Sequence, residues 1–226
     1  MPSARRPAGT GTDHLLIFSY DQLMHVIVAG DIAAGKSTAT HNLSAELGLP
    51  EFPERPQSNP YISDFYNDPQ RWALPSQLFF LVDEFDQQQT IRAARSGGVQ
   101  DHSIYEVHEV FDAVLAEEGI LSKNDYSLLD SVYTQFLSIA SQPDAVAYLH
   151  APPDELHKRI MERGRPYEAD VSTHYIHSLS ERRRRLFSGW DRCPVIEVDT
   201  SLTDLREPAQ ISQLAMQITV AVKSRA

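Results

Sequence analysis

The residues best suited to chemistry lie near the start of the sequence, where two glycines precede a lysine and a serine. Gly30, Gly35, Lys36 and Ser37 fit the phosphate-binding pattern G-x-x-x-x-G-K-[ST]. Glycine permits backbone angles that aim successive N–H groups at phosphate oxygens, the lysine adds a cation, and the serine hydroxyl can bind Mg²⁺. The alternative is a glycine-rich structural turn. The predicted phosphate-binding residues are Gly30, Ala33, Ala34, Gly35, Lys36, Ser37 and Thr38.

Two carboxylates follow predicted strands and would face this loop. Glu54 comes after the apolar segment at 49–53, where it could accept a proton from a hydroxyl that attacks a γ-phosphate. Asp101 ends another apolar segment, where it could hold Mg²⁺ together with Ser37. The alternatives are a surface glutamate paired with Arg55 and, for Asp101, the N-cap of the next helix.

Three arginines later in the chain could form a lid over bound phosphates. Arg159 and Arg163 are four residues apart and share a helix face, and Gly164 ends that helix so that Arg165 lies in a loop. Such guanidinium groups can neutralise charge on a transferring phosphoryl group. We predict a lid at about 159–170, and the alternative is a solvated basic face. The four arginines at 182–185 are predicted to have no catalytic role.

Short apolar segments that alternate with helical patterns predict an α/β fold. We expect a P-loop NTPase-type, five-stranded parallel sheet flanked by helices, whose ligands bind beyond the carboxyl ends of the strands. The predicted strands are 24–29, 49–53, 98–104, 145–149 and 194–198. The predicted helices are 36–47, 72–96, 105–117, 122–140, 152–163, 172–187 and 207–223.

Length and composition narrow the class of protein. The 226 residues, 42% of them hydrophobic, suit one domain at 24–226 after a flexible extension at 1–23. The formal net charge of −11 argues against binding to a nucleic-acid polymer. One cysteine excludes an intrachain disulfide, and no apolar run reaches membrane-spanning length. We therefore expect a cytoplasmic protein without a membrane partner.

From about residue 24 to 200, the order and spacing of these motifs are similar to those of a known family. The chain resembles the deoxynucleoside kinases, most closely the bacterial deoxyadenosine/deoxyguanosine kinase branch. The resemblance implies transfer of the γ-phosphoryl group of ATP, or of another NTP, to the 5′-hydroxyl of a nucleoside with Mg²⁺, in a homodimer. The matching segments are 30–38, the Glu54 loop, 59–69, 77–81, 99–106, 148–154 and 159–165.

The resemblance also implies roles for individual residues. Glu54 takes the place of the general base, and the three arginines match the lid arginines. Gln77 matches the glutamine that reads the base of the acceptor nucleoside. The expected pocket walls, for which core packing is the alternative, are Tyr61, Phe65, Tyr66 and Phe80.

Three positions depart from the family pattern. The resemblance implies arginines at 102 and 84 and an acidic residue at 107, but the chain has His102, Glu84 and Val107. We predict that donor chemistry is retained and acceptor choice has changed, with Glu84 favouring N–H donors or positive charge unless a basic neighbour satisfies it. The alternatives are a kinase for a non-nucleoside primary hydroxyl and a weakly catalytic nucleotide-binding regulatory protein.

Overall fold

A parallel sheet lies at the centre of the computed structural model, which describes residues 24–94, 96–168 and 171–225. Its five strands have the order β2-β3-β1-β4-β5, and every neighbouring pair is parallel. The predicted five-stranded sheet is therefore confirmed. The predicted extension at 1–23 lies outside the described residues. The strands are β1 (His25–Gly30), β2 (Glu51–Phe52), β3 (Gly98–Asp101), β4 (Ala145–His150) and β5 (Val195–Asp199).

Helices connect the strands and cover both faces of the sheet. Ser122 and Ser172 cap two of them by accepting hydrogen bonds from backbone N–H groups, as serine does at helix starts. The helices are α1 (Lys36–Leu47), α2 (Ile62–Asn67), α3 (Pro69–Ala94), α4 (Ile104–Glu106), α5 (Ala113–Glu117), α6 (Lys123–Ile139), α7 (Pro153–Arg163), α8 (Thr173–Ser188) and α9 (Pro208–Lys223). A π-helical segment, Val107–Asp112, joins α4 to α5.

The side chains of β1 alternate between two apolar layers. Val26 and Val28 pack on the face covered by α1 and α9, whereas Ile27 and Ala29 pack on the opposite face. Because both faces are buried, the strand is almost wholly apolar, as central parallel strands are. This arrangement fixes the loop after Gly30 at the carboxyl edge of the sheet.

Two predicted strands are shorter in the structure, for local reasons. Pro50 and Pro53 flank the two residues of β2, and proline has no N–H group with which to extend a ladder. β3 ends at Asp101 because His102 has a φ of 76°, and Ser103 then caps α4. The short helix α2 was missed by the sequence analysis. None of the helices in the described residues is long and apolar enough to cross a bilayer.

Candidate active site

The phosphate-binding loop is the turn between β1 and α1. Gly30 packs so closely on β4 that a Cβ atom there would lie 2.3 Å from the carbonyl oxygen of Leu149. Ala33 and Gly35 have φ angles of 62° and 92°. The loop therefore includes two residues in the left-handed region, which glycine enters without strain. The loop leads into the N-terminal end of α1, whose dipole favours a bound anion.

Lys36 and Ser37 lie at the start of α1 with their side chains held by neighbouring oxygens. The Nζ atom of Lys36 donates to the carbonyl oxygens of Gly30 at 3.0 Å and Asp31 at 3.2 Å. The hydroxyl of Ser37 donates to Oδ2 of Asp101 at 2.8 Å. A cation and a hydroxyl–carboxylate pair therefore stand side by side at the loop.

Asp101 fits a role in binding a divalent cation. Its side chain is buried, and its Oδ1 atom has no hydrogen-bond partner among the described residues. Burial raises the pKa of Asp101, an effect that the charge of Lys36 opposes. Carboxylate and hydroxyl oxygens are ligands that Mg²⁺ accepts. Ser103, and not Asp101, is the N-cap of α4, so the alternative interpretation of Asp101 is wrong.

A cleft beside the loop brings together most of the residues predicted for the acceptor site. Its empty volume is about 720 Å³ with the open side included. Lys36 and Glu54 line it, and Arg55 pairs with Asp83 at 2.6 Å instead of pairing with Glu54. Ile32 and Phe111 extend its apolar wall. The other predicted residues that line this cleft are Phe65, Tyr66, Gln77, Phe80, His102, Val107, Arg163 and Arg165.

A second cleft opens on the other side of the loop, and the three predicted lid arginines divide between the two clefts. Arg159 lines the second cleft with Ala33, Gly35 and Thr38, and its Nη2 atom donates to the carbonyl oxygen of Thr200 at 2.9 Å. The empty volume of this cleft is about 1110 Å³ with the open side included. The phosphate-binding loop forms one side of this cleft through Ala33, Gly35 and Thr38.

Arg163 and Arg165 converge on one buried carboxylate in the first cleft. Their guanidinium groups lie 2.7 and 3.4 Å from the side-chain oxygens of Glu168. Gly164, between them, has a φ of 62° and ends α7 as predicted. The expected lid at 159–170 includes residues 169 and 170, which lie outside the described residues.

Comparison with known proteins shows the family of this chain. The family model for deoxynucleoside kinases matches residues 26–223. The chain belongs to the deoxynucleoside kinase family. It is 35% identical over 182 residues to the deoxyadenosine/deoxycytidine kinase of Bacillus subtilis (strain 168), with 80% of this chain and 84% of that protein covered. It is 34% identical over 191 residues to the deoxyadenosine kinase of Dictyostelium discoideum, with 84% and 77% covered.

Solved structures show the same fold at lower sequence identity. A deoxyadenosine kinase from M. mycoides with bound dATP superposes with a TM-score of 0.75 at 24% identity, covering 87% of this chain and 100% of that chain. As a member of the deoxynucleoside kinase family, this chain is a phosphotransferase that acts on a hydroxyl acceptor. The predicted fold and enzyme class are therefore confirmed.

Two residues predicted for the deoxynucleoside kinase acceptor site lie elsewhere. Tyr61 stacks on Trp72, with ring centroids 5.8 Å apart, outside the first cleft. Glu84 is fully buried: its Oε2 atom accepts a hydrogen bond from Nε2 of Gln100 at 2.8 Å, and its Oε1 atom lies 3.7 Å from Nδ1 of His102. The prediction that Glu84 faces the acceptor directly is corrected, because Glu84 is fully buried and contacts His102, which itself lines the cleft.

The Glu84–His102 contact joins two groups whose charged forms are both disfavoured by burial. Burial, followed by the negative charge of Glu54, raises the pKa of Glu84 well above its usual value. Burial lowers the pKa of His102 to about 3. Burial therefore favours the uncharged form of each group, and 3.7 Å exceeds hydrogen-bond length.

Two of the three departures from the family pattern, His102 and Val107, line the cleft, and of these two only His102 has a polar side chain. Its φ of 76° is unusual for a residue with a side chain, and its ring packs edge-on against Phe111 with centroids 5.5 Å apart. Neither ring nitrogen has a hydrogen-bond partner among the described residues. The imidazole can therefore donate to or accept from a molecule in the cleft.

Sequence reasoning missed a buried ionic cluster beneath the phosphate-binding loop. Arg183, from the run of four arginines on α8, is fully buried and binds Asp31 and Glu106. A signal was present in the sequence: Arg183 is four residues after the buried Leu179 and four before the buried Phe187, so it falls on the apolar stripe of α8.

Proposed function

We propose that this enzyme transfers the γ-phosphoryl group of ATP, or of another nucleoside triphosphate, to the 5′-hydroxyl of a deoxynucleoside or nucleoside in the presence of Mg²⁺. The observation that carries the proposal is that Glu54 and Lys36 line one cleft. A proton acceptor and a phosphate-binding cation thus face the same space, as attack by a hydroxyl on a γ-phosphate requires.

The donor would bind across the phosphate-binding loop with its nucleoside in the second cleft. The loop side of that cleft is formed by Ala33, Gly35 and Thr38. Arg159 on α7 and Arg206, just before α9, also line it. Its volume, about 1110 Å³ with the open side included, is ample for a nucleoside. The similarity to kinases solved with bound dATP supports a nucleoside triphosphate as a ligand of the fold.

The chemical step would be an in-line displacement at the γ-phosphorus. The acceptor oxygen forms a bond to phosphorus, the bond from phosphorus to the β–γ bridging oxygen breaks, and the hydroxyl proton passes to Glu54. Arg163 and Arg165 line the same cleft and would neutralise charge on the transferring group. Ser37 and Asp101 would hold Mg²⁺, which would neutralise further charge on the donor phosphates.

The acceptor would lie between aromatic side chains and the amide of Gln77. Phe80, Tyr66 and Phe111 line the cleft with Gln77, which is 4% exposed. Aromatic walls suit a planar base, and an amide can donate and accept at once. The names of the relatives, deoxyadenosine/deoxycytidine and deoxyadenosine kinases, support a deoxynucleoside acceptor.

We also propose that acceptor choice differs from the usual family pattern, and that it does so through His102. A neutral imidazole stands where the resemblance implies an arginine, and the carboxyl of Glu84 contacts it from the interior. The interaction with the acceptor is therefore a hydrogen bond from or to an uncharged ring. This replaces the earlier expectation that Glu84 selects positively charged acceptors.

A homodimer in the cytoplasm is part of the same proposal. Val82 on α3 and Leu128 and Ile139 on α6 are 48%, 50% and 56% exposed, and these two helices pack together. Apolar side chains exposed on paired helices support a helix-bundle interface. Light scattering on the purified protein would give the mass of a dimer, and a monomeric mass would contradict this part.

The activity is tested with a panel of acceptors, ATP and Mg²⁺. We expect a nucleoside monophosphate from at least one of the four common deoxynucleosides, detected by mass spectrometry. Phosphorylation confined to a non-nucleoside primary alcohol would favour the first alternative, and ATP binding without transfer to any acceptor would favour a regulatory protein. A His102→Arg variant that circular dichroism shows to be folded should change the ranking of acceptors, and an unchanged ranking would contradict the altered specificity.

A further inference from the structure

Arg183 on α8 is a fully buried arginine whose two partners both belong to the phosphate-binding region. Its Nε atom donates to Oε1 of Glu106 at 2.9 Å, and its Nη1 atom donates to Oδ1 of Asp31 at 2.8 Å. All three side chains are at most 2% exposed. Burial alone would lower the pKa of Arg183, but Glu106 and Asp31 raise it above its usual value, so the guanidinium stays charged.

These contacts fix two adjacent residues at the start of the loop. The Oε1 atom of Glu106 that binds Arg183 also accepts the backbone N–H of Gly30 at 3.0 Å. Asp31 is bound to Arg183 directly through its side chain. One guanidinium therefore holds Gly30 through Glu106 and holds Asp31 without an intermediary.

The same two residues hold the phosphate-binding lysine. The Nζ atom of Lys36 donates to the carbonyl oxygens of Gly30 and Asp31, at 3.0 and 3.2 Å. The position of these carbonyl oxygens sets the position of the ammonium group. Because Arg183 fixes the residues that carry them, its influence reaches Lys36 through two hydrogen bonds in series by way of Asp31, and through three by way of Glu106 and Gly30.

The cluster also sets the charge beneath the loop. Asp31 and Glu106 are two carboxylates at a site where a negatively charged triphosphate is to bind, and Arg183 compensates one of them. Removal of the guanidinium would leave both carboxylates buried and unpaired, which is costly and would repel the donor phosphates.

We propose that Arg183 is a positioning residue for the phosphate-binding loop, acting through Asp31 and Glu106 to set the affinity for the phosphate donor without touching it. This inference rests on the proposed function, because it assumes that the loop binds a nucleoside triphosphate. The neighbouring Arg184 is exposed and pairs with Glu181 on its own helix, so it provides a matched control.

The test compares steady-state kinetics of the wild type, Arg183→Gln, Arg183→Lys and Arg184→Gln. Arg183→Gln should raise the KM for ATP by about tenfold or more while the KM for the acceptor stays within about twofold. Arg183→Lys, which keeps the charge, should recover part of the loss, and Arg184→Gln should match the wild type. A folded Arg183→Gln with lowered Tm but unchanged KM for ATP would show a purely structural role and overturn the proposal.

A double variant keeps the test decisive if Arg183→Gln does not fold. Asp31→Asn combined with Arg183→Gln leaves one buried carboxylate uncompensated, as in the wild type, but removes the link to the loop. Its KM for ATP should be raised about threefold or more, and a value equal to that of the wild type would overturn the proposal. Failure of the proposed function looks different, since the wild type itself would then transfer no phosphate.

Discussion

The Nδ1 atom of His102 lies 3.7 Å from the Oε1 atom of Glu84, and both side chains are shielded from solvent. His102 lines the first cleft, where we propose that the acceptor binds, whereas Glu84 contacts His102 from the protein interior. At these positions the family pattern implies two arginines. The chain thus presents an uncharged ring to this cleft where the resemblance implies a permanent cation.

Shortening His102 should weaken acceptor binding selectively. His102→Asn keeps a residue type that tolerates a positive φ but withdraws the ring from the cleft. We expect the KM for the acceptor to rise about tenfold, the cost of one lost hydrogen bond in a closed site, with the KM for ATP within about twofold. His41→Asn, at an exposed histidine paired with Glu51, is the control. Equal effects on both KM values would contradict this role.

Glu84→Gln should stabilise the protein increasingly as the pH rises. The pKa of Glu84 is raised in the folded state by burial and by the charge of Glu54. A raised pKa contributes stability below the unfolded value, which is lost as the pH rises toward the folded value. The amide has no proton to lose, so the Tm of Glu84→Gln should equal that of the wild type near pH 4.5, the ordinary pKa of glutamate, and exceed it at higher pH.

The control for this pH dependence is Asp86→Asn, at an exposed carboxylate on the same helix. Its Tm should follow that of the wild type across the pH range in differential scanning calorimetry. A Tm for Glu84→Gln that lies below the wild-type value at neutral pH would contradict a raised pKa of Glu84 as the dominant effect.

Glu54→Gln should greatly slow the chemical step and leave the binding of the donor nearly unchanged. The amide cannot accept the hydroxyl proton, so kcat should fall by about a hundredfold or more. The affinity for ATP, measured by calorimetric titration, should stay within about threefold. Glu51→Gln removes a nearby carboxylate that pairs with His41 on the surface, and it should leave kcat unchanged. A Glu54→Gln variant with normal kcat would contradict the proposal that Glu54 is the general base.

Gly30→Ala should be far more damaging than Gly119→Ala. A Cβ at position 30 would lie 2.3 Å from a backbone oxygen of Leu149, whereas one at position 119 would meet nothing within 4 Å. Gly119 has a φ of 71°, so alanine there costs only about 1–2 kcal/mol of backbone strain. Thermal denaturation should show a small loss of Tm for Gly119→Ala and loss of the folded state for Gly30→Ala. Similar Tm values for both would contradict the close packing.

The sequence predicted the parts of the site that depend on local spacing. Lys36, Ser37 and the glycines around them form one turn, so their pattern alone indicates the loop. Glu54 and Asp101 were found because parallel strands end at one edge of a sheet. β2 was overestimated, although Pro50 and Pro53 already limited its length.

What the sequence could not show are the contacts between residues far apart in the chain. Arg183 and Asp31 are 152 residues apart, and no spacing rule relates them. The buried position of Glu84 also depends on such a contact, because the side chain of Gln100 donates a hydrogen bond to its carboxyl group in the core. A buried carboxylate and one that faces a ligand have the same sequence signature until the packing around them is known.

We propose that the 5′-hydroxyl of a nucleoside accepts the phosphoryl group. The position of the phosphate in the product tests this directly. The wild type is incubated with ATP, Mg²⁺ and its preferred deoxynucleoside, and in parallel with the 5′-deoxy analogue of that nucleoside. Phosphorus NMR should show only the 5′-monophosphate from the nucleoside and no product from the analogue. Phosphate transfer to the analogue, or to the 3′-hydroxyl of the nucleoside, would contradict the account.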